Sequence, residues 1–162
     1  MSVTHDLTRW FSQAQRIVIV GVGNPLRRDD NIGVEIVSGL EGKVSKAVLL
    51  IKSETVPESF IEQIIEFRPT HILIIDAALL NLSPGQVKLE ESLKVSPVAI
   101  STHTLPIQIF CEHLTRMISV KIAMLLIQPE NTNFGEGLTR RLNIIRNKLV
   151  DDLIKILEKA VD

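Results

Sequence analysis

Cysteine occurs once in the 162 residues, tyrosine never and tryptophan once, and aromatic residues make up only 4% of the chain. One cysteine excludes an intrachain disulfide framework and any cluster held by several cysteines. So few aromatic rings leave little from which to build a base-stacking platform. Neither sign of charge dominates: 18 Lys+Arg stand against 19 Asp+Glu, a formal charge of −1. That balance gives no general attraction to phosphate backbones or anionic lipid. No apolar run approaches the roughly 18 residues that would span a bilayer. The opening MSVTHDLTRWF lacks the basic-then-apolar layout of a signal peptide, so the expected compartment is the cytoplasm. No internal repeat, low-complexity tract or linker is present. What the chain has instead is a 45% apolar share rich in Ile, Leu and Val, enough for a core. At this length a single domain over 1–162 is expected, with a helical extension at 1–15 and an α/β core at 17–157.

The apolar pattern changes period along the chain. Val3, Leu7, Trp10 and Phe11 fall on one face of a short helix that Thr4 can cap. Arg16 to Gly21, Ala47 to Ile51, His71 to Ile75 and Val120 to Ile127 are continuous apolar runs, the form of strands buried on both faces. Asp76 ends the third run, and Gln86 to Glu90, after the Pro84-Gly85 turn, suits an edge strand. Between the runs lie helical patterns: Ile32 to Leu40, a segment opened by Pro57, and Leu105 to Met117 with Leu105, Ile109, Leu114 and Met117 inward. A long C-terminal helix runs from about Leu138 to Leu157. Gly39 and Gly42 stand where the first of these helices ends and left-handed backbone is often needed. Strands alternating with helices predict a three-layer α/β fold, a largely parallel twisted sheet of about five strands with helices on both faces.

In such a sheet, ligands bind beyond the carboxyl ends of strands where the strand order reverses, between the first and third strands if the order begins 2-1-3. Gly21-Val22-Gly23-Asn24-Pro25-Leu26-Arg27-Arg28-Asp29-Asp30 follows the first strand and Asp76-Ala77-Ala78 the third, which delivers carboxylates to one edge. The first segment is a poor dinucleotide turn, because Leu26 stands where G-x-G-x-x-G requires its third glycine. One of Asp29 and Asp30 can serve as a helix cap while the other faces the crevice. Asp76 breaks an Ile-rich strand, where a carboxylate is costly unless paired, hydrogen-bonded or metal-bound. His103 precedes a helix. Asp30, Asp76 and His103 together make a two-carboxylate, one-imidazole set suited to a borderline divalent ion such as Ni²⁺ or Zn²⁺ with coordination positions left open. Cys111 reads as a buried small residue, His5 as solvated, and His71 and His113 have no spacing partner. Neither a G-x-S-x-G elbow nor an H-E-x-x-H helix is present.

Gly21-x-Gly23-Asn24-x-Leu26-x-x-Asp29-Asp30, the strand-end Asp76 and Thr102-His103-x-Leu105-Pro106 resemble, in this order, the motifs of the hydrogenase maturation endopeptidases. Pro57-Glu58, Arg68-Pro69-Thr70 and Gln128-Pro129 are similar to the same family, and the likeness covers roughly residues 17 to 142. The Thr-His-x-Leu-Pro form is most similar to the branch that matures formate-hydrogenlyase-type [NiFe] hydrogenases. The resemblance implies a protease acting once on each precursor of a [NiFe]-hydrogenase large subunit. It would remove the C-terminal extension after nickel insertion, cutting after a His or Arg just beyond the last cysteine motif. It also implies that Asp30, Asp76 and His103 bind the metal and form the catalytic set, with Ni²⁺ presented by the substrate. Asn31 stands where many members have glycine, and its tolerance of left-handed backbone would preserve the turn.

Two mechanisms fit these residue types. A divalent ion can polarise the peptide carbonyl and lower the pKa of a bound water. Alternatively, paired carboxylates can activate water directly, as in aspartic-type peptidases. A non-catalytic nickel-binding assembly or sensor protein is the alternative reading. Docking on a folded precursor calls for exposed apolar residues near the crevice, with Leu79, Leu80 and Leu82 as candidates.

Overall fold

A computed structural model describes residues 2–91, 100–101 and 103–161, and the loop expected through Pro97 lies outside them. The chain runs α1 (Val3–Trp10), β1 (Ile17–Val22), α2 (Ile32–Leu40), β2 (Val48–Glu54), α3 (Ile61–Phe67), β3 (His71–Leu79), β4 (Val87–Glu90), β5 (Ile100–Ser101), α4 (Thr104–Met117), β6 (Lys121–Ile127) and α5 (Arg140–Ala160). The sheet order is β2-β1-β3-β6-β4, with β5 attached to the end of β3. The pairs among β2, β1, β3 and β6 are parallel, whereas β4 closes one edge antiparallel to β6. The order therefore begins 2-1-3, and the expected α/β class is observed.

The runs without alternation are continuous because both faces of the sheet are covered. Ile17, Ile19, Leu73 and Ile75 pack against α1, α2 and α5. Their neighbours Val18, Val20, Ile72 and Ile74 face the other way, onto α3 and α4. Every residue of β1 is buried.

Three local expectations are corrected. Ser2 rather than Thr4 caps α1, its hydroxyl accepting from the His5 N–H. β3 does not end at Asp76 but continues to Leu79, because Ala77 still pairs with Ile127 and Ala78 with Ser101. The inward face of α4 is Ile107, Phe110, Cys111 and Leu114, while Leu105, Ile109 and Met117 are exposed. Of the two glycines assigned to a helix end, Gly42 has φ +76 and Gly39 lies within α2 against Val150. Among the described residues no helix is long and apolar enough to cross a membrane.

Candidate active site

The carboxyl edge of the sheet is built by three returning segments. β1 leaves through Gly23 and turns at Asn24, whose side-chain oxygen accepts from the Leu26 N–H at 2.9 Å. A short 3-10 turn, Arg28–Asn31, then leads directly into α2. Glycine makes this compaction possible. A Cβ on Gly33 would overlap the carbonyl oxygens of Ile75 and Val22, so only glycine lets α2 start against the strand ends. No sequence signal of a nucleotide turn predicts this role for Gly33; close packing of helix on strand does.

The adjacent aspartates are both fully buried and do different work. Asp29 accepts from the backbone N–H groups of Glu130 and Asn131 at 3.0 Å each and of Thr139 at 2.7 Å. The Thr139 hydroxyl donates to it as well. Asp29 thus fastens the loop after β6 and caps no helix of its own. Arg28 beside it takes φ +45, and its guanidinium lies over Gly135, where a Cβ would collide with it. Asp30 points the other way: one carboxylate oxygen accepts from the Asn24 N–H at 3.0 Å and lies 3.5 Å from His103 Nε2.

His103 immediately precedes α4 and is held between two carboxylates. Its Nδ1 lies 3.3 Å from Asp76 Oδ1, on β3, and its Nε2 faces Asp30. Burial pushes the imidazole pKa down, but the hydrogen bond and charge of Asp76 and the charge of Asp30 outweigh it, and the net displacement is upward. Arg27 opposes that rise through its own positive charge. The structure thus brings Asp30, Asp76 and His103 into one cluster; Thr102 lies outside the described residues.

The donor types, carboxylate oxygen and imidazole nitrogen, fit a borderline divalent ion. Their present arrangement is that of an ion-paired histidine: the two ring nitrogens are directed at different carboxylates, and among the described residues no group of three His, Cys, Asp or Glu side chains is disposed to hold a metal. A metal reaching all three would have to displace a histidine–carboxylate contact.

Asn31 adopts φ −87, so its place in the motif needs no left-handed backbone, contrary to expectation. Its amide nitrogen donates to Glu35 at 3.3 Å. The other candidates stand apart. Cys111 is buried in α4, and burial pushes its thiol up to about 12. His71 is buried at the opposite end of β3, and His5 and His113 are exposed. Leu79 and Leu82 are exposed, but Leu80 is packed against Ala78 and Leu126.

The hydrogenase maturation protease model of the HycI type matches residues 34–159. That match spans more than half of the chain. The chain belongs to the hydrogenase maturation proteases. A Methanocaldococcus jannaschii protein provisionally named for the same activity is 36% identical over 157 residues, which cover 92% of each chain. The Escherichia coli hydrogenase 3 maturation protease is 27% identical over 124 residues, 76% of this chain and 79% of that one. The crystal structure of the [NiFe] hydrogenase maturation protease HycI from Thermococcus kodakarensis superposes with a TM-score of 0.86 at 30% identity, covering 97% of this chain and 99% of the other. This maturation protease is therefore a peptide hydrolase with the fold of that family, acting in the processing of hydrogenase precursors.

Proposed function

We propose that this maturation protease removes the C-terminal extension of a [NiFe]-hydrogenase large-subunit precursor once nickel has been inserted, and that Asp30, Asp76 and His103 are the reacting centre. The observation that carries this reading is His103 lodged between two fully buried carboxylates at the carboxyl edge of the sheet. Two buried acids and an imidazole are expensive to assemble without a task, since each charge loses its hydration. They supply what peptide hydrolysis requires: a base to take a proton from water and an acid to return it to the departing amine.

Nickel belongs to the substrate in this scheme. The chain's lone cysteine is buried away from the edge, so it contributes only oxygen and imidazole ligands. A nickel ion arriving in the precursor would compete for the carboxylates that hold His103, making metal insertion a condition for productive binding. Leu26, Leu105 and Phe134, exposed on segments around this edge, suit contact with a folded protein.

The decisive assay incubates the protease with nickel-loaded and nickel-free precursor and follows C-terminal trimming by mass spectrometry. Trimming of the loaded form alone, lost in Asp76→Asn, is expected. Equal trimming of both forms, or an active Asp76→Asn enzyme, overturns the proposal. Tight nickel binding with no trimming of either form would favour the assembly or sensor role.

A further inference from the structure

Two arginines precede the acidic pair, and they are placed differently. Arg28 is turned onto Gly135, away from the carboxylates. Arg27 is half-buried and anchored at one point, its Nε donating to the Thr132 carbonyl at 3.2 Å. The Asp30 N–H bonds to the Arg27 carbonyl at 3.0 Å, which fixes the arginine backbone one tight turn before the site carboxylate. The charge of Arg27 acts on His103, alongside those of the two acids. Its terminal nitrogens have no acceptor among the described residues, and Asp30 and Asp76 are not within ion-pair distance of it. A cation close to this site, tethered through Nε and with no acceptor at its fork among the described residues, is arranged to meet a bound group.

We infer that Arg27 donates through its terminal N–H groups to the scissile carbonyl oxygen of the bound precursor and stabilises the negative charge that develops there. The inference rests on the placement of the reacting centre at Asp30, Asp76 and His103. Water adds to the carbonyl carbon and gives its proton to the acid–imidazole set. The C=O π pair moves onto oxygen, facing Arg27. Collapse restores the carbonyl, breaks the C–N bond, and returns the proton to the leaving amine. The guanidinium remains protonated throughout, because it does not lose its proton in proteins. A planar fork whose Nε is already tied loses little freedom on binding, which suits it to preorganised stabilisation. The loop that supplies the Thr132 anchor is the one Asp29 fastens, so Asp29 is a positioning residue for Arg27.

The test compares Arg27→Met, Arg27→Lys and Arg27→Ala with the wild-type chain, using nickel-loaded large-subunit precursor. Arg27→Met should lower kcat by roughly 10²–10³-fold, the loss typical of one oxyanion donor. KM should change by no more than about threefold, as befits a contact that strengthens in the transition state. Arg27→Lys should retain part of the rate, and methylguanidinium should restore part of it to Arg27→Ala. An unchanged kcat in Arg27→Met, or a loss confined to KM, overturns the inference. Should Arg27→Met fail to fold, the other two decide: a Lys variant without activity and an Ala variant without rescue refute it. Asp76→Asn is assayed in parallel. An active Asp76→Asn enzyme removes the site assignment, whereas an inactive one beside a fully active Arg27→Met removes only the role of Arg27.

Discussion

His71 begins β3 and His103 precedes α4 beyond the far end of that strand; they are 3% and 7% exposed, yet their rings meet different surroundings. His71 stands edge-on to Trp10, with ring centroids 5.0 Å apart, and close to Phe11. Its Nδ1 contacts the Thr70 hydroxyl at 2.9 Å, and Nε2 has no partner of ordinary hydrogen-bond geometry among the described residues. Burial lowers its pKa, the Lys121 charge adds to this, and the Trp10 backbone offsets it in part. His103 is buried too, but carboxylates on both nitrogens reverse the sign. Burial alone therefore does not make a reactive edge. One end of the strands uses histidine as a flat, neutral filler beneath α1, and the other surrounds it with charge.

The comparison breaks first at the carboxyl edge. Asp76→Asn should reduce precursor trimming by about 10³-fold or more, the scale of a lost acid–base group. His71→Phe, at the opposite end, should leave the trimming rate within about twofold, since it touches no reacting atom. Comparable losses in both would remove the distinction.

Asp29→Ala should be the most destabilising change at the active edge. It removes the acceptor of three part-buried backbone N–H groups, and with each hydrogen bond contributing about 1 kcal/mol, urea unfolding should show a loss of about 3 kcal/mol. Asp30→Asn, one residue on, should lose trimming with a far smaller shift in the urea midpoint.

The pH dependence sharpens the contrast between the histidines. The folded pKa of His71 lies below its unfolded value, so the unfolded chain takes up a proton first as pH falls. Its contribution to stability is fully present above about pH 6.5 and is lost as pH drops from there toward the folded pKa. His71→Phe should thus lessen the fall in unfolding free energy between pH 7.5 and pH 5, the range that brackets a histidine of ordinary pKa near 6.5, as measured by denaturant titration. His103 works in the opposite sense, because its folded pKa is raised. The smallest effect is expected at Cys111, two turns into the helix that His103 precedes. A buried thiol pushed up to about 12 should resist alkylation at pH 8 until the protein unfolds, with trimming unaffected by the reagent.

The sheet was largely readable from unbroken apolar runs, because burial on both faces leaves no alternation to interpret. The placing of Asp30 and Asp76 at the carboxyl edge of the sheet followed from where those runs stop. Beyond Asp76 the reading failed: Ala77 and Ala78 carry no strand preference, and pairing with Ile127 and Ser101 decides their conformation. In α4, two overlapping apolar rows compete, and contact with α3 and the sheet selects the one containing Phe110 and Leu114. The division of labour between Asp29 and Asp30 was illegible for another reason. The partners of Asp29 lie 101 to 110 residues further along, and no local spacing encodes them.

That separation has a consequence in the order of events during synthesis. The acidic loop after β1 leaves the ribosome early, but the backbone groups that fix Asp29 and the Thr132 carbonyl that anchors Arg27 emerge only after β6. Closing so long a loop is the kind of step that topology makes late and slow. A nascent chain thus has all three residues of the proposed set before the segment after β6 that fastens Asp29 and Arg27 has been made.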